Sequence, residues 1–109
     1  MPTLYEMRTY TLHIGKMREA TTHYQELGFP ALKNGGYDEH LVGYFIADTG
    51  TLNQLVHIWR FKDDADRRAF WVRLFADKDF MEGFMPKFRP LLMSMEVKLL
   101  TAAPWGHHP

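Results

Sequence analysis

The strongest constraint on the fold lies mid-chain, where two β-forming runs flank a short turn. Residues 41–47 read LVGYFIA, residues 53–61 read NQLVHIWRF, and Asp48-Thr49-Gly50 turns the chain between them. Branched and aromatic side chains favour a pleated, half-buried strand, and polar turn residues between two such runs predict a hairpin. An isolated hairpin is marginal in water, so the rest of the chain must supply something for it to pack against.

Residues 4–12, LYEMRTYTL, predict a first strand, and residues 91–100, LLMSMEVKLL, a fourth. After Gly15, Met17, Ala20, Tyr24 and Leu27 recur at the three- and four-residue steps of an amphipathic helix. Gly28 and Pro30 interrupt that helix, Ala31 and Leu32 allow it to continue past a kink, and Asn34-Gly35-Gly36 ends it. Following the hairpin, Asp63 or Asp64 can cap a helix carrying Ala65, Ala69, Phe70, Val72 and Leu74 on its apolar side. Asp77 can cap a second, shorter one with Phe80, Phe84 and Phe88 four apart, bent at Pro86 and left at Pro90. The order strand, helix, strand, strand, helix, strand predicts an α+β, ferredoxin-like βαββαβ domain. Its four-stranded antiparallel sheet carries the helices on one face. The domain is expected to occupy residues 1–101, with residues 102–109 as a C-terminal tail.

A chain of 109 residues supports one domain. Thirteen Lys plus Arg balance thirteen Asp plus Glu, so nothing points to nucleic acid or another polyanion. Cysteine is absent, which excludes a disulfide scaffold, a thiolate nucleophile and a cysteine-ligated metal. It also fits a reducing compartment, and the expected location is cytoplasmic. The start, MPTLYEMRTYTL, has no basic stretch ahead of an apolar run, so no secretory signal is expected. No segment approaches the ~20 apolar residues of a membrane span. The six histidines, at 13, 23, 40, 57, 107 and 108, form neither H-x-H nor H-E-x-x-H. Neither a glycine-rich phosphate loop nor a G-x-S-x-G elbow occurs. No metal and no cofactor are expected.

Helices on one face leave the other face of the sheet bare. In the fourth strand one parity is Leu91, Met93, Met95, Val97, Leu99 and the other Leu92, Ser94, Glu96, Lys98, Leu100. In the third, Gln54, Val56, Ile58, Arg60 alternate with Leu55, His57, Trp59, Phe61, and neither set is a plainly solvated face. Small monomers avoid such a patch, so a homodimer packed sheet to sheet is expected.

Several residues invite chemistry. His57 sits mid-strand between Val56 and Ile58, with Trp59 on its own side, and near neutrality a histidine serves as acid or base. The alternative is a buried histidine satisfied by a neighbour. Arg8 and Tyr10 share a face with Glu6. The arginine fork can hold a ligand oxyanion, or it can pair with Glu6 or with Glu96, which lies in the strand expected beside the first. Asn53 with Gln54 either binds backbone in the turn or lines a pocket mouth. Trp71, Phe75, Phe80, Phe84 and Phe88 are a heavy aromatic load for short helices. They are either core or the walls of a cavity for a planar aromatic ligand.

YEMRTYTL in the first strand, GTLNQLVHIWRF with DDADRR around the hairpin, and FRPLLMSMEVKLL at the end together resemble the NIPSNAP family. LNQLVHIW is the most specific part; the GGYDEH stretch and the tail from Thr101 fall outside the resemblance. The family implies a dimeric α/β-barrel whose relatives include quinone-forming monooxygenases, lactone isomerases and polyketide cyclases. It has no single established reaction. Two functions follow as expectations. In one, each subunit binds or transforms a small aromatic or lactone-like metabolite by proton transfer or cofactor-free oxygenation. His57, Arg8 and Tyr10 would then act on it, and Trp59, Asn53, Trp71, Phe84 and Glu96 would help to hold it. In the other, the dimer is a non-catalytic scaffold with those groups paired inside a filled core.

Overall fold

The structure, a computed structural model, describes residues 3–109. Strands β1 (Leu4–Leu12), β2 (Leu41–Ile46), β3 (Gln54–Phe61) and β4 (Leu92–Thr101) form one sheet in the order β2-β3-β1-β4. Every pairing is antiparallel. The hairpin predicted from the mid-chain runs is thus β2-β3, and β1 lies centrally between β3 and β4.

Register fixes which side chains meet. Arg8 lies opposite His57 on β3 and opposite Val97 on β4, and Tyr44 of β2 lies opposite His57 from the other side. Glu6, Arg8 and Tyr10 therefore share one face with His57, Trp59 and Tyr44. The helices cover that face. Trp59, Phe61, Phe70, Phe84, Phe88 and Leu32 are almost wholly buried between helices and sheet.

The first helical stretch runs as α1 (Met17–His23), a π-helical turn at Tyr24–Gly28, and α2 (Phe29–Asn34). The interruption expected at Gly28 is a widened turn rather than a break, and Pro30, which has no N–H to donate, is the second residue of α2 directly after that turn. A short 3₁₀ turn at Tyr37–His40, which the sequence pattern does not announce, leads into β2. Helix α3 (Asp64–Phe75) starts as expected: the Asp63 side chain accepts the Asp66 backbone N–H at 2.8 Å. Val72, assigned by periodicity to its apolar side, is instead 70% exposed. Asp77 caps the next stretch by accepting the Phe80 N–H at 3.0 Å. That stretch is a second π turn, Asp79–Phe84, followed by α4 (Met85–Phe88), whose first turn holds Pro86.

The bare surface departs from the expectation in one respect. Met95, Val97 and Leu99 face the helix side, opposite Tyr10, Arg8 and Glu6, yet all three are exposed on the edge strand β4. The outer face carries the mixed set Val56, Ile58, Ser94, Glu96 and Lys98. The tail folds back toward that face, and the Tyr5 hydroxyl donates to the Pro109 carbonyl.

Candidate functional site

Three strands bring four polar groups to one spot under the helices. His57 is 2% exposed. The Tyr44 ring stacks on it at 4.5 Å and 6°, and Tyr10 meets it edge-on at 4.7 Å. Trp59, two residues along the same strand, donates its indole N–H to His57 Nδ1 at 2.6 Å. An indole nitrogen only donates, so Nδ1 must hold the lone pair and the neutral ring carries its proton on Nε2. That Nε2–H has no acceptor among the described residues. Burial, reinforced by the Arg8 charge, lowers the His57 pKa to about 3. The ring is therefore neutral at physiological pH, and it is a donor in search of an acceptor.

His57 lines a narrow cavity of about 30 Å³ with Tyr10, Tyr24, Tyr44 and Trp71, room for little more than a water molecule. Burial raises the pKa of both Tyr24 and Tyr44, so both hydroxyls stay protonated. Next to the cavity lies a charge network. Glu6, fully buried, accepts from Arg8 Nε, from Arg67 Nη1 at 3.0 Å and from Trp71 Nε1 at 3.1 Å. Arg67 also bonds Asp64 at 2.9 Å, and Asp64 in turn accepts from Arg68 Nε at 2.6 Å, so three arginines share two carboxylates. Arg8 lies 3.9 Å over the Trp71 ring and donates to the Tyr10 hydroxyl at 3.3 Å. Burial opposes its charge, but Tyr10 and Glu6 outweigh it and raise the Arg8 pKa.

The expected residues divide accordingly. His57, Arg8, Tyr10, Trp59 and Trp71 come together. Glu96 does not: it lies opposite Thr9, on the outer face, with Lys98 as its near cation, and Glu6 takes the Arg8 partnership. Asn53 holds the hairpin turn at φ 63°, with its carbonyl on the Leu12 N–H, and does not border the cavity. Phe84 packs behind Tyr24 at 4.6 Å as core. Periodicity treats Tyr24 only as a helix-stripe residue and gives Tyr44 no role. The signal for Tyr44 was available, since a hairpin pairs it with His57. Among the described residues no group of three or more His, Asp or Glu side chains is placed to hold a metal. No helix there is long and apolar enough to cross a membrane.

The NIPSNAP family model matches residues 5–107. The chain belongs to the NIPSNAP family. The match takes in the GGYDEH stretch and most of the tail, both of which the sequence resemblance leaves out. Protein NipSnap homolog 3B of Mus musculus is 27% identical over 104 residues, covering 94% of this chain and 40% of that protein. This NIPSNAP chain thus spans about two fifths of that relative's length. A NIPSNAP family protein from Agrobacterium tumefaciens superposes with TM-score 0.88 at 28% identity, covering 96% of this chain and 90% of that one. An antibiotic biosynthesis monooxygenase superposes with TM-score 0.62 at 16% identity over 93% of this chain and 99% of that one, a likeness of fold alone.

Proposed function

We propose that this NIPSNAP protein binds a small aromatic or lactone-like molecule between its helices and sheet. An oxygen of the ligand accepts the His57 Nε2–H. The observation that carries the reading is that donor: buried, tautomerically fixed by Trp59, and without a protein acceptor among the described residues. A buried N–H left unpaired costs about 1–3 kcal/mol, which a carbonyl oxygen would recover. The aromatic rings around it suit a planar ligand. With a pKa lowered to about 3, His57 serves as a hydrogen-bond donor rather than as an imidazolium acid. Any turnover, by proton transfer or by cofactor-free oxygenation, would draw on charge gathered at the ligand oxygen, with Arg8 and Tyr10 adjacent. The protein would act as a homodimer that covers the exposed apolar side chains of the sheet.

A second reading, a dimeric scaffold without a ligand, is favoured by one observation: Arg8 is already paired with Glu6. A thermal-shift screen with quinones, aromatic lactones and aromatic acids separates the two. A ligand at about 100 times its Kd adds about 2.7 kcal/mol, which raises the Tm of a domain this size by about 10 °C or more. The expected result is a shift with neutral carbonyl compounds that is lost in His57→Ala. A variant whose affinity per folded molecule is unchanged would sink the ligand reading.

A further inference from the structure

Tyr24 and Tyr44 border the narrow cavity that holds His57, and they also border a second, larger hollow that opens to solvent. Their rings lie 5.1 Å apart and form the partition between the two spaces. The outer hollow is a groove of about 520 Å³ walled by Phe29, Leu41, Ile46 and Leu55. Its size is that of a small-molecule pocket, whereas the inner cavity is too small to admit a ring. Thr21 and Gln25 contribute the remaining polarity, and no charged side chain lines it. Phe29 and Ile46 are 41% and 53% exposed, apolar surface that the groove leaves in water.

From these features we infer that groove and cavity are two halves of one binding site, which takes a neutral, ring-borne carbonyl compound carrying an apolar chain. The inference rests on the His57 reading above and extends it. The carbonyl oxygen meets the His57 Nε2–H, the ring displaces the Tyr24 side chain, and the chain lies along Phe29, Leu41 and Ile46. Neutrality follows from two observations. The groove carries no counter-charge, and the nearest partly buried cations, Arg8 and Arg67, are both already bonded to the Glu6 carboxylate. Local structure supports Tyr24 as the moving half of the partition. Tyr24 opens the π turn, a widened and weakly bonded geometry that gathers at functional sites. Tyr44 is held flat against His57 within the sheet. Gly28 closes the same turn, where a Cβ would stand 2.8 Å from the Phe84 ring and 2.9 Å from the Tyr24 ring. Tyr24 therefore has little freedom toward the core, and the groove is the side left for it.

The test uses two probes, naphthoquinone and a naphthoquinone bearing a long alkyl chain, titrated by calorimetry into wild-type protein, Ile46→Glu and Tyr24→Ala. The alkyl probe is expected to bind wild type at least about tenfold more tightly than the parent, since each buried methylene adds to affinity. Ile46→Glu should erase that gain and leave parent affinity as it was. Tyr24→Ala should tighten binding of both probes, since no ring then has to be displaced. If the parent binds through His57 but the chain adds nothing, the groove is overturned while the His57 site stands. If neither probe binds, both readings fall. If Ile46→Glu instead changes the oligomeric state and leaves probe affinity alone, the groove is an interface between copies and the inference is wrong.

Discussion

Acidification from pH 7 to pH 5 should destabilise the protein through His57 in a way that can be isolated. In the unfolded chain a histidine takes up a proton as the pH falls through about 6.5. In the folded protein burial, and secondarily Arg8, lower that value to about 3. Between those two values the unfolded state binds more protons, so stability is full above the upper one and drains as pH falls toward the lower one. At pH 5 the gap is about 1.5 pH units on the unfolded side, or about 2 kcal/mol at 1.36 kcal/mol per unit. The burial of His57, 2% exposed, leaves little solvent screening to reduce that figure. Urea unfolding at each pH gives the wild-type change. His57→Gln keeps an oxygen that can accept the Trp59 N–H but does not titrate, so it serves as the reference. Wild type should lose about 2 kcal/mol more than the variant between pH 7 and 5. Parallel pH profiles for the two proteins would refute the buried neutral histidine, and with it the fixed Nε2–H on which the ligand reading depends.

The Glu6 network and the assembly offer two more expectations. Glu6→Leu should cost about 3–5 kcal/mol in urea unfolding because it strips Arg8 of its carboxylate and leaves Arg67 with Asp64 alone, while Arg8→Met, which leaves Glu6 bonded to Arg67 and Trp71, should cost less. The double variant should be milder than the sum by about 1–3 kcal/mol, and strict additivity would show that the pair does not interact. Light scattering at micromolar concentration should give twice the chain mass, and Ser94→Arg, on the exposed outer face beside Thr11, should lower it; a wild-type monomer would end the homodimer proposal.

Strand content was legible in the chain because runs rich in branched and aromatic residues, parted by a turn, leave little choice. That Arg8 and Glu6 share a face was legible too, since residues two apart on a strand point to the same side whatever the sheet does. The choice between Glu6 and Glu96 was not, because it depends on register across strands. Glu96 lies opposite Thr9 rather than Arg8, and a one-residue offset moves a side chain to the other face. A reading of β4 in isolation has no way to fix that offset. The same limit hid the second half of the site. Tyr24 falls on the helix stripe whether or not the turn is π-helical, and the sequence shows only Gly28 and Pro30 interrupting it. The widened turn coincides with close packing: Gly28 has the Tyr24 and Phe84 rings against one backbone position, and the second π turn supplies Phe84 from the opposite side. Two helices that each depart from α geometry at their contact cannot be read one at a time. What each contributes to the cavity is decided by the other: the strands flank His57 with Tyr10, Tyr44 and Trp59, and Tyr24 and Phe80 complete the cavity lining only once both helical stretches are in place.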